Sequence, residues 1–281
     1  MSICYLNGQF IDENQAVVSI NDSGYYFGDG IYEVILLYKG KLIDKDAHLD
    51  RLMKCLDKVY FKNTPSKDEI FSNIINLLER NKDINTASIY IQFTRGTTIR
   101  SHSFAELDLQ PNCLIKIISC EINKNIKQWS CKLIEDPRRM RCDIKMTSLL
   151  PMVLAHYESE KEGFDDVIFY NSRINSITEG SSFNIFIVDK NDKIITCPVG
   201  NAILPGCTRA RIIKLCEESN LFVEERFYSK DELFNAKEVF ISGSIKLIVS
   251  ITKIDNNTIG NGDIGNITKL ISDKMFNFIE K

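Results

Sequence analysis

The sequence has few of the residues that build metal sites and disulfide frameworks. It contains only three histidines, His48, His102 and His156. Its nine cysteines are odd in number and scattered, with no C-x-x-C pair; they are Cys4, Cys55, Cys113, Cys120, Cys131, Cys142, Cys197, Cys207 and Cys216. Zinc sites and disulfide frameworks need regular spacing of these residues. We therefore expect reduced thiols, no metal centre and a cytoplasmic protein.

The sequence also lacks long apolar runs and a strong net charge. No apolar stretch approaches the length that spans a bilayer, and "MSICYLNGQF" has neither the basic leader nor the apolar core of a secretion signal. The formal net charge of −3 gives no general attraction to nucleic acid or to anionic membranes. With 44% hydrophobic and 26% charged residues, the composition is that of an ordinary globular protein.

Strand and helix patterns alternate along the 281 residues, which predicts a mixed α/β (α+β) fold. The polar stretch 121–128, "EINKNIKQ", is the predicted linker between a small domain, 1–120, and a larger domain, 129–281. Hairpins are expected at Asn7-Gly8 and Lys39-Gly40, because the first pair in particular accepts the positive φ of tight turns. Helices are expected over "DAHLDRLMKCLDKV", after the capping box that Ser66 begins, and over about 149–162, 207–219 and 266–281.

The glycine-rich segment 24–30, "GYYFGDG", matches neither G-x-G-x-x-G nor the P-loop pattern, and a strand rather than a helix is expected after it. A nucleotide-binding loop is therefore excluded, and a tight turn is the simplest interpretation. Tyr32 follows directly. From the sequence alone, Tyr32 is equally suited to packing in the core and to a role in a functional site.

Lys145 lies in "RCDIKMTSLLP", between the apolar residues Ile144 and Met146. Most lysines are solvated, and composition alone favours that interpretation here. The alternative is that Lys145 faces a cleft and forms a Schiff base with a carbonyl compound.

Three segments could bind phosphate. In "LPGCTRARIIKL" a Pro-Gly turn opens into a helix, so the N–H groups of Cys207 and Thr208 are candidate anion donors, although every helix has such a start. The turn 242–244, "SGS", interrupts an apolar strand, which marks a ligand or, more commonly, a bulge. Arg51 could bind phosphate with two donors, or form a surface ion pair with Asp50 or Asp46.

Two further segments could bind charged groups. Glu179 ends a strand in "TEGSSFNIF" and could be a site carboxylate or a solvated glutamate at the end of a strand. Arg100 and His102 lie two apart in "TRGTTIRSHSF". In an extended segment they share one face and could grip a carboxylate; otherwise they lie in an exposed loop.

Taken in order, these motifs resemble one family. "GYYFGDGIYEV", "HLDRL", "TRGTTIRSH", "RCDIK", "TEGSSFN", "LPGCTR" and "SGS" are similar to the motifs of class IV, or fold-type IV, aminotransferases that use pyridoxal 5′-phosphate. The bacterial D-amino-acid aminotransferases are the most similar group. Glu179 follows Lys145 by 34 positions, as it does in that family. The resemblance implies a two-domain fold with a smaller N-terminal α/β domain and a larger C-terminal pseudo-barrel domain.

The resemblance also implies a role for each candidate. Lys145 would hold the cofactor covalently, and Glu179 would keep its pyridine nitrogen protonated. Arg51, Cys207 with Thr208, and Ser244 would hold the phosphate, with Gly206 and Gly243 beside these donors, and Leu204 would pack on the ring. Tyr32, Arg100 and His102 would trap the α-carboxylate, the last two acting from the neighbouring subunit of a homodimer.

The implied reaction is a ping-pong amino transfer from a D-amino acid to an oxo acid, with 2-oxoglutarate as the expected acceptor. Branched-chain L-amino-acid transfer, aminodeoxychorismate lysis and a non-catalytic binding protein remain alternatives. The branched-chain relatives lack the R-x-H pair that this chain has at 100–102. Phe183 and Pro205 depart from the family pattern and bear on the width of the substrate pocket. Cys207 also departs, but a backbone donor is indifferent to its side chain.

Overall fold

Helices and strands alternate throughout residues 2–104, 108–138 and 141–281, which are the residues that the computed structural model describes. The α-helices are α1 (Ser23–Phe27), α2 (Lys45–Lys58), α3 (Lys67–Arg80), α4 (Leu150–Lys161), α5 (Cys207–Glu217), α6 (Lys230–Phe234) and α7 (Asn266–Glu280). The strands are β1 (Ile3–Leu6), β2 (Gln9–Asp12), β3 (Gly30–Tyr38), β4 (Lys41–Leu42), β5 (Ala87–Thr94), β6 (Asn112–Ser119), β7 (Lys127–Glu135), β8 (Asp166–Asn171), β9 (Ser176–Gly180), β10 (Asn184–Val188), β11 (Ile194–Thr196), β12 (Val223–Glu225), β13 (Glu238–Gly243), β14 (Leu247–Ile254) and β15 (Asn257–Thr258). No helix of the described ranges is long and apolar enough to cross a membrane.

The chain divides into two compact units. Unit 1 comprises Met1–Glu121 with Ile144–Ser148, and unit 2 comprises Ile122–Asp143 with Leu149–Lys281. This division differs from the expected domains in one respect, because the segment that contains Lys145 belongs to the first unit. The expected linker, 121–128, also includes the first two residues of β7.

Unit 1 is an antiparallel six-stranded sheet in the order β2-β1-β6-β5-β3-β4. Alternate residues of its strands, such as Ile31, Ile35, Ile89 and Ile91, are fully buried in the core with α2 and α3. The intervening residues point to the opposite face of the sheet. Both expected hairpin turns are present, and Asn7 and Lys39 have positive φ.

The described residues of unit 2 form nine strands, and six of these strands pair in a ring. The strands β10, β13, β14, β7, β8 and β9 pair in that order, and β9 also pairs with β10 through Glu179 opposite Asn184. The core of the unit comes from inward-facing residues such as Ile185, Ile241 and Ile251. The ring therefore closes at Glu179, the carboxylate that the sequence singled out.

Local sequence explains the helix ends. Ser66 and Glu69 form the expected capping box of α3.

Two expectations need correction. The tight turn expected in "GYYFGDG" is the five-residue helix α1, which Asp22 caps and which ends at Gly28 with a φ of 62°. The apolar strand expected to be interrupted at 242–244 is a hairpin, in which β13 turns into β14.

Candidate active site

The backbone of Lys145 is fixed as a short extension of the sheet of unit 1. Its carbonyl accepts a hydrogen bond from the N–H of Tyr32 at 3.0 Å, and the N–H of Thr147 donates to the carbonyl of Gly30 at 2.9 Å. Its own N–H donates to the sulfur of Cys55 on α2 at 3.5 Å. These bonds explain why the segment groups with unit 1, and they hold the lysine opposite Tyr32.

The side chain of Lys145 is half-buried against an aromatic ring. Its Nζ lies 4.3 Å from the ring centroid of Tyr32. Tyr32 stacks on Tyr90 with ring centroids 5.8 Å apart, and the Tyr90 hydroxyl donates to Gln92 at 2.6 Å. Burial, with a smaller contribution from Tyr32, raises the pKa of Tyr90 to about 12, so this hydroxyl keeps its proton at neutral pH. Lys145 is therefore packed against Tyr32 in unit 1, and it is not a fully solvated surface lysine.

Arg51 is buried, which excludes the alternative of a surface ion pair with Asp50 or Asp46. Its Nε and Nη2 donate to the two carboxylate oxygens of Glu33 at 2.9 and 2.7 Å, and the Nδ1 of His48 lies 3.0 Å from the same carboxylate. Burial alone would raise the pKa of Glu33, but Arg51 and His48 lower it well below its ordinary value. Glu33 thus fixes the guanidinium within unit 1, and the phosphate-binding role of Arg51 stays a prediction.

Glu179 is a buried carboxylate with three donors in unit 2. It accepts hydrogen bonds from the guanidinium of Arg138, from the Asn184 side-chain amide at 2.9 Å and from the Leu204 N–H at 3.0 Å. Burial raises the pKa of Glu179 above its ordinary value, and the charge of Arg138 opposes that rise. Its position is therefore fixed from three directions, which excludes a solvated glutamate at the end of a strand.

Arg138 is the site residue that the sequence did not reveal. Its side chain is 9% exposed, and it donates from Nε and Nη2 to Asp136 at 2.8 and 2.7 Å while its Nη1 reaches Glu179. Burial alone would lower the pKa of Arg138, but Asp136 and Glu179 raise it above its ordinary value. The only sequence signal is a cluster of charges, "EDPRRM", directly after an apolar strand.

The start of α5 lies close to Glu179 in unit 2. Gly206 is its N-cap residue, Cys207 and Thr208 are buried in its first turn, and no side chain of the described residues caps it. A Cβ at Gly206 would lie 2.1 Å from the side-chain oxygen of Asn184, so only glycine allows this approach. Asn184 also donates to the carbonyl of Leu204 at 3.0 Å. The structure thus brings Glu179, Leu204 and the helix start together.

The turn after β13 places further hydroxyls in unit 2. Ser242 lies opposite Asn184 in the sheet, and Gly243 and Ser244 lead into the hairpin turn. The hydroxyl of Ser242 is buried and has no partner among the described residues. Phe183, a departure from the family pattern, packs its ring within this unit 5.9 Å from Trp129 and over Gly180, where a Cβ would meet it at 2.1 Å. The bulk of Phe183 therefore fills the interior of unit 2.

Arg100 and His102 lie in an exposed loop of unit 1 that follows β5. The guanidinium carbon of Arg100 is 5.2 Å from the ring centroid of Phe27, and the ring of His102 meets that same ring edge-on at 5.5 Å. The two side chains therefore contact one aromatic ring and carry a cation and a ring donor side by side.

Comparison with known proteins identifies similar chains over the full length. The family model described as amino-transferase class IV matches residues 30–254. The D-alanine aminotransferase of Bacillus licheniformis is 34% identical over 275 residues, which cover 97% of this chain and 95% of the relative. That of Staphylococcus aureus (strain N315) is 35% identical over 282 residues, which cover 100% of this chain and 99% of the relative.

Solved structures share the fold at lower identity. A branched-chain amino acid aminotransferase of Escherichia coli superposes with a TM-score of 0.91 at 22% identity and covers 98% of this chain and 94% of its own. A branched-chain enzyme of T.th., complexed with N-(5′-phosphopyridoxyl)-L-glutamate, gives 0.88 at 18% identity and covers 98% and 93%. The expected two-domain architecture, with a pseudo-barrel in the second unit, is confirmed.

Proposed function

Because the chain belongs to the class IV aminotransferases, we propose that it transfers the amino group of D-alanine, and of other D-amino acids, to 2-oxoglutarate. The products are pyruvate and D-glutamate. The observation that carries this choice of substrate is the full-length similarity to two D-alanine aminotransferases. The branched-chain enzymes are similar in fold at 18–22% identity, which leaves L-leucine transfer as the alternative to test.

The cofactor of this reaction is pyridoxal 5′-phosphate, and the residues of unit 2 fit it. The uncapped start of α5 offers backbone donors and a positive helix end to a phosphate, and Thr208 adds a hydroxyl. The hydroxyl of Ser242 on β13 is buried and has no partner among the described residues, so it is a further candidate donor. Gly243 and Ser244 follow directly, and Arg51 of unit 1 is the proposed cationic partner.

Pyridoxal 5′-phosphate, when bound, supplies an electron-withdrawing ring that stabilises the negative charge left when the Cα proton is removed. Lys145 would hold the cofactor through its amine, and the same amine would accept the Cα proton of the amino acid. The Tyr32 ring limits the positions that this side chain can adopt. Lys145 is therefore both the attachment point and the base.

Glu179 holds the proton of the pyridine nitrogen in this proposal. Burial raises the pKa of Glu179, and a protonated ring beside it would favour the ionised carboxylate, whose charge would in turn stabilise the protonated nitrogen. Arg138, the Asn184 amide and the Leu204 N–H keep the carboxylate in place. Leu204 would pack against the ring, and its backbone N–H donates to Glu179.

Tyr32, Arg100 and His102 bind the substrate carboxylate. A guanidinium and an imidazole beside one another provide charge-assisted donors of the kind that carboxylates accept. As in the family, we propose a homodimer in which Arg100 and His102 serve the neighbouring subunit. The nine cysteines are all free thiols, which favours a reducing compartment such as the cytoplasm.

The experiment that tests the proposal is a substrate panel with the purified holoenzyme. D-Alanine is offered with and without 2-oxoglutarate, and L-leucine and aminodeoxychorismate are offered separately. We expect pyruvate from D-alanine only when 2-oxoglutarate is present. Lys145→Ala should abolish turnover with an unchanged thermal midpoint, and Lys54→Ala, an exposed lysine of α2, should retain full activity.

Other outcomes identify the alternatives. Preferential transfer from L-leucine would replace the proposal with branched-chain transamination, and pyruvate from aminodeoxychorismate would indicate the lyase reaction. Full activity of Lys145→Ala would overturn the catalytic role of this lysine.

A further inference from the structure

The "GYYFGDG" segment, to which no role has yet been given, contacts the loop that carries Arg100 and His102. This loop, residues 95–104, is called the Arg100 loop below. Two residues of the segment, Phe27 and Asp29, contact side chains of the loop. All of these residues belong to unit 1.

Arg95 anchors the beginning of the Arg100 loop. Its Nε and Nη2 donate to the two carboxylate oxygens of Asp29 at 2.7 and 2.9 Å. Nη2 also donates to the carbonyl of Val59 at 3.0 Å, and Nη1 reaches the carbonyl of Tyr60 at 3.4 Å. The Arg95 side chain is buried, and two parallel bonds to a carboxylate fix both its position and its plane.

The same guanidinium also contacts two aromatic rings. Its central carbon lies 4.5 Å from the ring centroid of Phe61 and 4.0 Å from that of Phe104. Phe104 follows Arg100 and His102 in the chain, so Arg95 contacts the loop both before and after this pair. Planar guanidinium groups stack well on aromatic rings, whereas lysine would lose both the stacking and the paired hydrogen bonds.

Backbone bonds fix the loop against the start of α1. The N–H of Ser23 donates to the carbonyl of Gly96, and the N–H of Thr98 donates to the carbonyl of Asn21, each at 3.0 Å. Gly96 has a φ of 107°, and a Cβ there would lie 2.1 Å from the carbonyl oxygen of Gln110. The backbone of the Arg100 loop is therefore fixed before the chain reaches Arg100 and His102, which contact Phe27.

Phe27 contacts two exposed polar side chains of the loop, Arg100 and His102. Arg100 contacts its face at 5.2 Å and His102 meets it edge-on at 5.5 Å. An exposed arginine without such a contact samples many rotamers and loses that freedom when it binds a carboxylate. One ring shared by both side chains reduces that loss and fixes their spacing.

We propose that Phe27 is a positioning residue for the substrate carboxylate, acting through Arg100 and His102 from a loop that Asp29 and Arg95 anchor. The inference rests on the proposed function, in which these two side chains bind the carboxylate. Phe27 itself contacts neither cofactor nor substrate in this proposal. Its effect is confined to how well the pair is preorganised.

The test is steady-state kinetics of the holoenzyme with Phe27→Leu and Phe27→Met, which remove the ring and keep an apolar side chain. We expect the KM for D-alanine and for 2-oxoglutarate to rise about fivefold, the loss of a cation–π contact near the surface, while kcat is little changed. Phe27→Tyr keeps the ring and should restore the original KM. Tyr25→Leu removes an exposed ring of the same helix and should have no effect.

Arg100→Ala in the same assay separates this inference from the proposed function. Adding Phe27→Leu to Arg100→Ala should cause a smaller increase in KM than it does in the native chain, because part of its effect acts through Arg100. If Arg100→Ala raises KM and both ring-free variants do not, the role of Phe27 is wrong and the proposed function stands. If Arg100→Ala leaves KM unchanged, the carboxylate site itself is wrong. A loss of kcat at constant KM in the Phe27 variants would also overturn the inference.

Discussion

The replacement Arg138→Met tests how the carboxylate of Glu179 is held. Methionine keeps much of the side-chain length but removes the charge and the donors that Arg138 gives to Asp136 and Glu179. Glu179 would then keep only the Asn184 amide and the Leu204 N–H. Removing one partner of a buried pair costs ~3–5 kcal/mol, because the remaining charge stays desolvated. We expect a loss of that order in the stability of the cofactor-free protein.

The loss should depend on pH in a defined direction. Burial already raises the pKa of Glu179 above its ordinary 4.5, and without Arg138 the pKa rises further. A group with a raised folded-state pKa gives full stability below its unfolded pKa and loses it as pH rises through the folded value. The difference between the native protein and Arg138→Met should therefore grow as pH rises above 4.5, and it should be greater at pH 8 than at pH 4.

Urea unfolding followed by tryptophan fluorescence measures this loss in the relevant unit. The chain has one tryptophan, Trp129, and it lies on β7 of unit 2. Arg141→Met is the matched control, because Arg141 is exposed and its bond to Asp143 is long at 3.3 Å. If Arg138→Met is no less stable than this control, or if its loss is independent of pH, the ion pair does not hold Glu179 as described.

Two further predictions concern the other buried contacts. Glu33→Gln should destabilise the protein by ~3–5 kcal/mol at pH 7, since it removes the charge of one partner of the buried pair with Arg51. Because the pKa of Glu33 is lowered, the difference should shrink as pH falls below 4.5. Urea unfolding followed by circular dichroism at pH 7 and pH 4 measures this difference in stability, with Glu79→Gln on the surface of α3 as the control. A stability difference that is the same at both pH values would contradict the lowered pKa of Glu33. Gly206→Ala should weaken pyridoxal 5′-phosphate binding roughly tenfold, as overpacking displaces Asn184. Gly200→Ala is the control, because a Cβ at Gly200 meets no other atom, and it should bind the cofactor normally in an absorbance titration. Equal cofactor affinities of Gly206→Ala and Gly200→Ala would refute the argument from overpacking.

The sequence predicted the elements that have strong local signals. The turn at Asn7-Gly8, the capping box of α3 and the start of α5 at Cys207 depend on residues next to each other in the chain. Lys145 and Glu179 became site candidates because ordered motifs resembled a known family, and their roles stay predictions.

The partners of the site residues could not be predicted in the same way. Arg138 and Glu179 are 41 positions apart, and Arg51 and Glu33 are 18 apart on a helix and a strand. Spacing along the chain carries no information about such pairs. Reasoning from neighbouring residues therefore offered only Asp50 and Asp46 as ion-pair partners of Arg51. The placement of Lys145 in the first unit likewise depends on bonds to β3, which is more than a hundred residues earlier.

The central claim is that Lys145 is the residue that carries pyridoxal 5′-phosphate. Borohydride reduction of the holoenzyme, followed by proteolysis and mass spectrometry, tests it most directly. We predict a phosphopyridoxyl group on the peptide that contains Lys145 and none in Lys145→Ala. A label on a different lysine, or an active D-alanine enzyme that carries no label at Lys145, would contradict the account.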